Sequence, residues 1–403
     1  MTRPEDKARE EIDRQLVRAG WVVQDRESFD LGAGLGIAIR YFPLTGGECD
    51  YILMVDRRAC GVLEAKKAGV TLSGVAEQSE RYIAQAPEWV PAWGPSLRFH
   101  YESTGEETNF RDTADPDARS RRVYTFHRPE TLHYWLRDSG GTLRARLRAL
   151  PPLRTEGLRP GQIEAIEGLE RSLARGDMRA LQQAVTGAGK TYTACTFGYR
   201  LLAHAGARRI LFLVDRNNLG RQALTEFQGF RPPGTGRLFT ELYGAQRLGP
   251  SGLDKDAQVV ISTIQRVFSQ ITGEPLDEAE EEASGFEHGY TPPTRTLDYN
   301  PHIPPETFDV IVVDETHRSI FGTWRQVFDY FDAFVVGLTA TPTPATLAFF
   351  RQNLVSEYPY ERSVADGVNV PFEIYRIRTR IGEQGSRVGV GFTLPRRDRK
   401  TRR

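Results

Sequence analysis

Apolar positions near the start of the chain recur at helical spacing. Ile12, Leu16 and Ala19 punctuate an otherwise charged stretch from Pro4, and Gly20 closes it, so the spacing predicts an amphipathic opening helix. Trp21-Val-Val then starts a strand. The run Cys49-Asp-Tyr-Ile-Leu-Met-Val55 is apolar and strand-like, Asp56-Arg-Arg58 reads as a turn, and Gly61-Val-Leu-Glu-Ala-Lys66 as a second strand, which together predict a hairpin. Helical spacing returns after Thr71 through Val75, Gln78 and Tyr82, until Pro87 stops it. Short apolar segments follow, among them Leu97-Arg-Phe-His-Tyr101 and Val123-Tyr-Thr-Phe126, and complete a first domain over residues 1–150.

Pro151-Pro152 begins a linker, and beyond it the pattern changes to short continuous apolar runs between helical segments. These runs are a strand leading into a glycine-rich loop near 184–191, then Ile210–Val214, Val259–Ser262, Val310–Val313 and Ala333–Leu338. Such runs, apolar on both sides, predict a parallel sheet covered by helices on both faces, in an α/β domain over 151–350, with 351–403 leading onward. The acidic and then Pro/Gly/Thr-rich stretch from Pro275 to Pro305 reads as a surface excursion.

Composition narrows the classes. Acidic and basic residues balance at 53 each among 403, so no whole-chain field drives the protein onto nucleic acid and any such surface must come from local clustering. Three cysteines, Cys49, Cys60 and Cys195, without a C-x-x-C pair, argue against a disulfide framework and against structural zinc. No secretory apolar core opens the chain and no apolar run is long enough to span a bilayer, which points to a soluble, cytoplasmic protein.

The first chemical constellation is Ala184-Val-Thr-Gly-Ala-Gly-Lys-Thr191. Thr186, Gly187 and Gly189 let successive backbone N–H groups face phosphate oxygens, and the following helix N-terminus favours their charge. Lys190 would neutralise the β and γ oxygens of ATP, and Thr191 would hold Mg²⁺. The apolar run ending in Asp314-Glu315 supplies the partner carboxylates: Asp314 on the Mg²⁺ side, Glu315 to position or deprotonate the attacking water. His317 would couple nucleotide state to a DNA path. Upstream, Leu158-Arg159-Pro-Gly-Gln162 resembles the adenine-reading element of superfamily 2 motors, which implies Arg159 and Gln162 beside the base. Ser262-Thr-Ile-Gln-Arg266 is expected along a phosphodiester track, and Thr339-Ala-Thr341 links hydrolysis to movement. An Asp-Glu pair after a strand is, alone, usually a solvated turn; the upstream loop reverses that reading.

The second constellation is Asp50 with Glu64-Ala-Lys66. Alternation along a strand puts Glu64 and Lys66 on one face, and the hairpin brings Asp50 beside them. Two carboxylates to hold Mg²⁺ and a lysine to steady developing charge are what phosphodiester hydrolysis needs. Gln78 and Tyr82, four apart, share a helix face. A bare Glu-x-Lys is more often a surface ion pair; the company of Asp50, Gln78 and Tyr82 favours catalysis.

The second constellation resembles the PD-(D/E)xK nuclease core, with Asp50 and Glu64 as metal ligands, Lys66 as electrostatic partner and Gln78 and Tyr82 as the accompanying Gln-x-x-x-Tyr element; Cys49 stands where that core usually has proline. A nuclease core ahead of a superfamily 2 motor resembles the restriction (R) subunit of type I restriction-modification enzymes. The match rests also on Tyr101-Glu-Ser-Thr-Gly105, Phe126-His-Arg-Pro-Glu130, Phe212-Leu-Val-Asp-Arg-Asn217, Gly337-Leu-Thr-Ala-Thr-Pro-Thr-Pro344 and Asp366-Gly-Val-Asn369. The resemblance implies a PD-(D/E)xK-type nuclease domain followed by a first RecA-like ATP-binding domain, with ATP and Mg²⁺ as cofactors. It implies double-stranded DNA, a methyltransferase subunit and a specificity subunit as partners, and residues 351–403 as the start of a connection to a second RecA-like domain. With one lobe, translocation by the isolated chain is not expected. The competing readings are a noncatalytic remnant that binds nucleotide, DNA or a partner, and a stand-alone repair helicase with a nuclease.

Overall fold

The computed structural model describes residues 4–67, 69, 72, 85–276, 296–316, 320 and 322–372. Gln78, Tyr82 and His317 lie outside them. Within the described residues the strands form two sheets of seven.

The first sheet runs in chain order: β1 (Val22–Asp25), β2 (Gly36–Leu44), β3 (Gly47–Val55), β4 (Arg58–Ala65), β5 (Phe99–Ser103), β6 (Thr108–Asp112) and β7 (Arg121–Val123). Strands β2, β3 and β4 form an antiparallel meander, and β5 joins β4 in parallel. The two-residue turn between β3 and β4 holds Asp56 and Arg57 at φ 49° and 62°, the left-handed pair that a tight hairpin of type I′ demands. Alternation then sorts the side chains. Tyr51, Leu53, Val55 and Leu63 pack with Ile12, Leu16 and Trp21, from the opening helix Pro4–Arg18 and just beyond it. Ile52, Met54 and Val62 go to the opposite face with Ile37, Ile39, Phe42 and Leu97. Gly61 permits the parallel pairing: a Cβ there would lie 2.4 Å from the Phe99 carbonyl oxygen.

The second sheet has the order β10 (Gly244–Arg247), β11 (Ala257–Thr263), β9 (Ile210–Val214), β12 (Val310–Asp314), β13 (Phe334–Thr339), β8 (Arg179–Ala184), β14 (Leu354–Tyr358), all pairs parallel. Helices Pro160–Ala174, Lys190–Arg200 and Asn217–Gly229 cover one face, where Leu169, Phe197 and Phe227 meet Ile210, Phe212 and Val214. Helices Ile264–Thr272, Arg325–Tyr330 and Pro344–Phe349 cover the other, where Val267, Val327 and Phe349 meet Leu211 and Leu213. This is the doubly covered parallel α/β arrangement expected. Two edge strands, β10 and β14, lie outside that expectation. Their sequences, GAQR and LVSEY, have no continuous apolar run, because an edge strand is only partly buried. Strand β14 carries the sheet past residue 350, since Tyr358 pairs with Ala184.

A buried charge network joins the two sheets. Asp332, just before β13, accepts from Arg121 Nε and Nη2 at 2.8 Å each and lies 2.9 Å from His127 Nε2. Glu306 accepts from Arg128 Nε at 3.2 Å and from Thr131 Oγ1 at 3.0 Å. The acids come from the second sheet's connections and their partners from residues 121–131. Among the described residues no helix is long and apolar enough to cross a membrane.

Candidate phosphate and cation sites

Strand β8 delivers the glycine-rich loop from inside the second sheet, flanked by β13 and β14. Gly187 and Gly189 sit at φ +86° and +82°, in the left-handed region that glycine tolerates without steric cost, and the helix Lys190–Arg200 starts at once. Lys190 is nearly buried. Its Nζ lies 3.4 Å from Glu315 Oε1 and 3.4 Å from the Ala184 carbonyl oxygen, so it bridges the loop and the acidic strand end. Asp314 ends β12, and its carboxylate accepts the Glu315 N–H at 3.0 Å. Burial pushes the Asp314 carboxyl up to about 6, and Glu315 adds to the shift, while Lys190 opposes both. Glu315 itself stands at φ +48°, a left-handed conformation that is uncommon for a residue with a side chain. Thr191 is half-buried on the first turn of the helix. Two adjacent, partly buried acids with Lys190 beside them suit a magnesium nucleotide, whose cation would relieve the acids as Lys190 turns to phosphate.

The adenine-reading segment is arranged differently from the simplest expectation. Gln162 is buried, its Oε1 accepts the Arg159 N–H at 2.9 Å, and its Nε2 donates to the Gly189 carbonyl at 3.2 Å. Its amide thus caps the helix Pro160–Ala174 and braces the loop. Arg159 Nη1 donates to the Gly187 carbonyl at 3.3 Å. Ser262–Arg266, expected along a phosphodiester track, is buried instead. Thr263 caps the helix Ile264–Thr272 by accepting the Arg266 N–H at 3.3 Å, which turns this segment into the core. Thr316 is buried with its hydroxyl on the Leu338 carbonyl, 3.4 Å away. Thr339 is buried at the end of β13, and its hydroxyl accepts the Thr341 N–H at 3.3 Å. Asp215, which follows β9, adds to the charge around Asp314; in the sequence it lies in the matching segment Phe212–Asn217 but is given no role there.

In the first sheet the structure brings Asp50, Glu64 and Lys66 together. The β3–β4 pairing ends at Tyr51 opposite Leu63, and Asp50 and Glu64 are the next residues along the two strands. Asp50 Oδ2 accepts the Ala65 N–H at 2.9 Å, and Oδ1 accepts from Arg9 Nη2 at 2.7 Å. Lys66 Nζ lies 4.0 Å from Glu64 Oε2. Burial pushes the Glu64 carboxyl up to about 7, with Asp50 adding to the shift and Lys66 opposing it. Two residues beyond the sequence expectation border this cluster. Arg9 projects from the opening helix, and Glu102 of β5 sits in register beside Glu64, buried, with one oxygen lacking a hydrogen-bond partner. Among the described residues no three His, Cys, Asp or Glu side chains converge as a ready-made metal cage. Asp50 and Glu64 are a pair, which fits Mg²⁺, an ion that takes one or two carboxylates and keeps other positions for water and phosphate.

The sequence has relatives among known proteins. Residues 155–344 match the family model described as the res subunit of type III restriction enzymes. Across 97% of the chain, the sequence is 26% identical to the EcoKI type I restriction enzyme endonuclease subunit of Escherichia coli K12. Over 58% of the chain it is 29% identical to the EcoAI endonuclease subunit of Escherichia coli. The chain spans 37% of the first of these relatives and 25% of the second. A fragment structure described as an HsdR subunit of a type I restriction enzyme from Vibrio vulnificus YJ016 aligns over 91% of this chain and 61% of its own, with 20% identity and a TM-score of 0.36.

Proposed function

We propose that this chain, related in sequence to the endonuclease subunits of type I restriction enzymes, joins a metal-dependent DNA nuclease to one lobe of an ATP-driven DNA motor. The reading rests on one observation above others. A phosphate loop whose Lys190 meets Glu315 beside Asp314 stands on the same chain as a strand pair that gathers Asp50, Glu64 and Lys66. In this assignment residues 1–150 form a PD-(D/E)xK-type nuclease domain, and the RecA-like motor lobe runs from 151 through β14.

In the motor lobe, loop N–H groups and Lys190 hold the nucleotide phosphates. Thr191 and Asp314 are the ligands for Mg²⁺, which supplies charge neutralisation at the γ-phosphate when bound. Lys190 turns from Glu315 to phosphate, and Glu315 orients the attacking water. Gln162 and Arg159 hold the loop's outer side and flank the base, and His317 links the acidic strand to the DNA path. In the nuclease, Asp50 and Glu64 are the cation ligands, Lys66 steadies negative charge at the scissile phosphate, and Gln78 and Tyr82 orient the strand. Arg9 fixes Asp50. The partners in this reading are double-stranded DNA and the methyltransferase and specificity subunits of a type I complex.

The test is cleavage of supercoiled plasmid by the chain with Mg²⁺, alone and with methyltransferase and specificity subunits plus ATP, comparing wild type with Lys66→Ala and Lys190→Ala. The reading expects Lys66→Ala to abolish cutting in every arm, and Lys190→Ala to abolish the ATP-dependent part. Undiminished cutting by Lys66→Ala overturns the nuclease assignment.

A further inference from the structure

The phosphate loop is braced on its outer side by three side-chain donors, each on a different carbonyl. Arg159 reaches Gly187, Gln162 reaches Gly189, and Asn369 Nδ2 reaches the Thr186 carbonyl at 3.2 Å. The first two precede the loop. Asn369 comes from a segment 183 positions beyond Thr186, after β14 and the helix Tyr360–Ala365.

This segment is fixed to the loop by more than one contact. Asn369 Nδ2 also donates to Ser363 Oγ at 3.0 Å, and the N–H groups of Val368 and Asn369 both donate to the Ser363 carbonyl, at 2.8 and 3.1 Å. Ser363 is buried and donates its own hydroxyl to the Tyr360 carbonyl at 2.6 Å. Val368 packs with Ala184, Val185, Ala188 and Tyr358, and the Val185 N–H donates to the Tyr358 carbonyl at 3.0 Å. Asn369 Oδ1 lies 3.0 Å from where a Cβ on Gly187 would stand, so the amide occupies the space that this glycine leaves open.

A peptide group has two ends. Holding the Thr186 and Gly189 carbonyls directs the N–H groups of Gly187 and Lys190, at the other ends of those peptide groups, the opposite way, toward an anion they would bind, while the Ala188 N–H stays on the Val185 carbonyl at 3.1 Å. We propose that Asn369 is a positioning residue of the phosphate loop: it pins the Thr186 carbonyl, and it carries any change in loop shape on nucleotide binding into the chain that leaves through residues 368–372. The proposal rests on the nucleotide-site reading above and adds to it a residue and a route.

The test uses the full chain and Mg²⁺·ATP as probe, with calorimetric titration of wild type, Asn369→Asp and Lys190→Ala. Asn369→Asp keeps the side chain's shape but loses the donor. It is expected to weaken Mg²⁺·ATP binding about tenfold, a loss of about 1.4 kcal/mol, with the melting temperature of the nucleotide-free protein unchanged. Hydrogen exchange adds a readout that a merely structural role would not move. In wild type, ATP slows exchange at 186–189 and at 368–369 together, and in Asn369→Asp the second response disappears. Asn369→Ala carries the same measurements if the aspartate lowers the melting temperature. Binding within twofold of wild type by the Asn369 variants, while Lys190→Ala binds at least tenfold more weakly, overturns this proposal and leaves the nucleotide site standing. Wild-type binding by Lys190→Ala overturns the nucleotide site and the proposal with it.

Discussion

Arg121 and Asp332 meet across the seam between the two sheets, with guanidinium Nε and Nη2 each 2.8 Å from a different carboxylate oxygen. The side chains are 14% and 4% exposed, so this is a desolvated fork-to-fork pair in which each charge depends on the other. Burial pushes the Asp332 carboxyl upward, but Arg121 and His127 outweigh it and hold the group well below its ordinary 3.8.

Removing one partner should therefore cost far more than removing both. Arg121→Ala leaves a buried carboxylate that has lost its guanidinium and keeps His127, and is expected to lower unfolding stability by about 3–5 kcal/mol. The double variant Arg121→Met with Asp332→Leu should recover most of that loss in urea titrations at neutral pH. The sign with pH follows from the depressed carboxyl: its stabilisation is complete above the ordinary unfolded value and fades as pH falls through the lower folded one. Asp332→Asn should lack this acid-side loss.

Glu64 behaves in the opposite sense. Its carboxyl is raised to about 7, so the folded state holds a proton that the unfolded state has released between its ordinary 4.5 and that value. Stability should fall as pH rises through this window, and Glu64→Gln should flatten the profile. A divalent cation competes with the same proton. Mn²⁺ affinity at this cluster should rise from about pH 5.5 to about 7.5 with proton release, measurable by titration in buffers of different ionisation enthalpy. A pH-independent affinity would remove Glu64 from the ligand set.

Lys190 is the cation that offsets the Asp314–Glu315 pair. Lys190→Met should raise the Asp314 carboxyl further above its present value of about 6. It should also weaken Mg²⁺·ATP binding by about 1.5–3 kcal/mol, the worth of hydrogen bonds to charged groups. Infrared difference spectra across pH would follow the first effect, and calorimetry the second.

Gly61→Ala tests the architecture that holds the first cluster. Its Cβ would press within 2.4 Å of the Phe99 carbonyl, a backbone atom with no rotamer to yield. A loss of about 1–3 kcal/mol is expected in denaturant unfolding, with Asp50, Glu64 and Lys66 all untouched. An unchanged midpoint would mean that β4 and β5 can part at no cost.

The sequence made some of this legible and hid the rest for physical reasons. Alternation with period two put Glu64 and Lys66 on one face and the two-residue turn announced the hairpin, but turn and alternation alone would set Asp50 opposite Leu63; the register shift between Leu53 and Met54, which no local pattern announces, brings it level with Glu64. Glu102 escaped notice because it reaches Glu64 through a parallel pairing between distant segments, and nothing local sets that register. Arg9 escaped because helical spacing identifies the buried stripe but not which flanking charge overlooks the sheet. Polar identity misled at Ser262–Arg266, where Thr263 serves as a helix cap and the segment turns inward. At Gln162 it did not reveal the local role of the amide, which is engaged with Arg159 and Gly189. In the second sheet, β9, β11, β12 and β13 announced themselves as apolar runs, while the polar edge strands β10 and β14 did not.

Glu315, held at φ +48°, implies a trade that selection experiments would expose. Glycine would relax that backbone, by about 1–3 kcal/mol if the full strain of such a conformation is released. A library screened only for heat resistance should therefore accumulate Glu315→Gly, and on the proposed function the hardiest clones should be those least able to hydrolyse ATP.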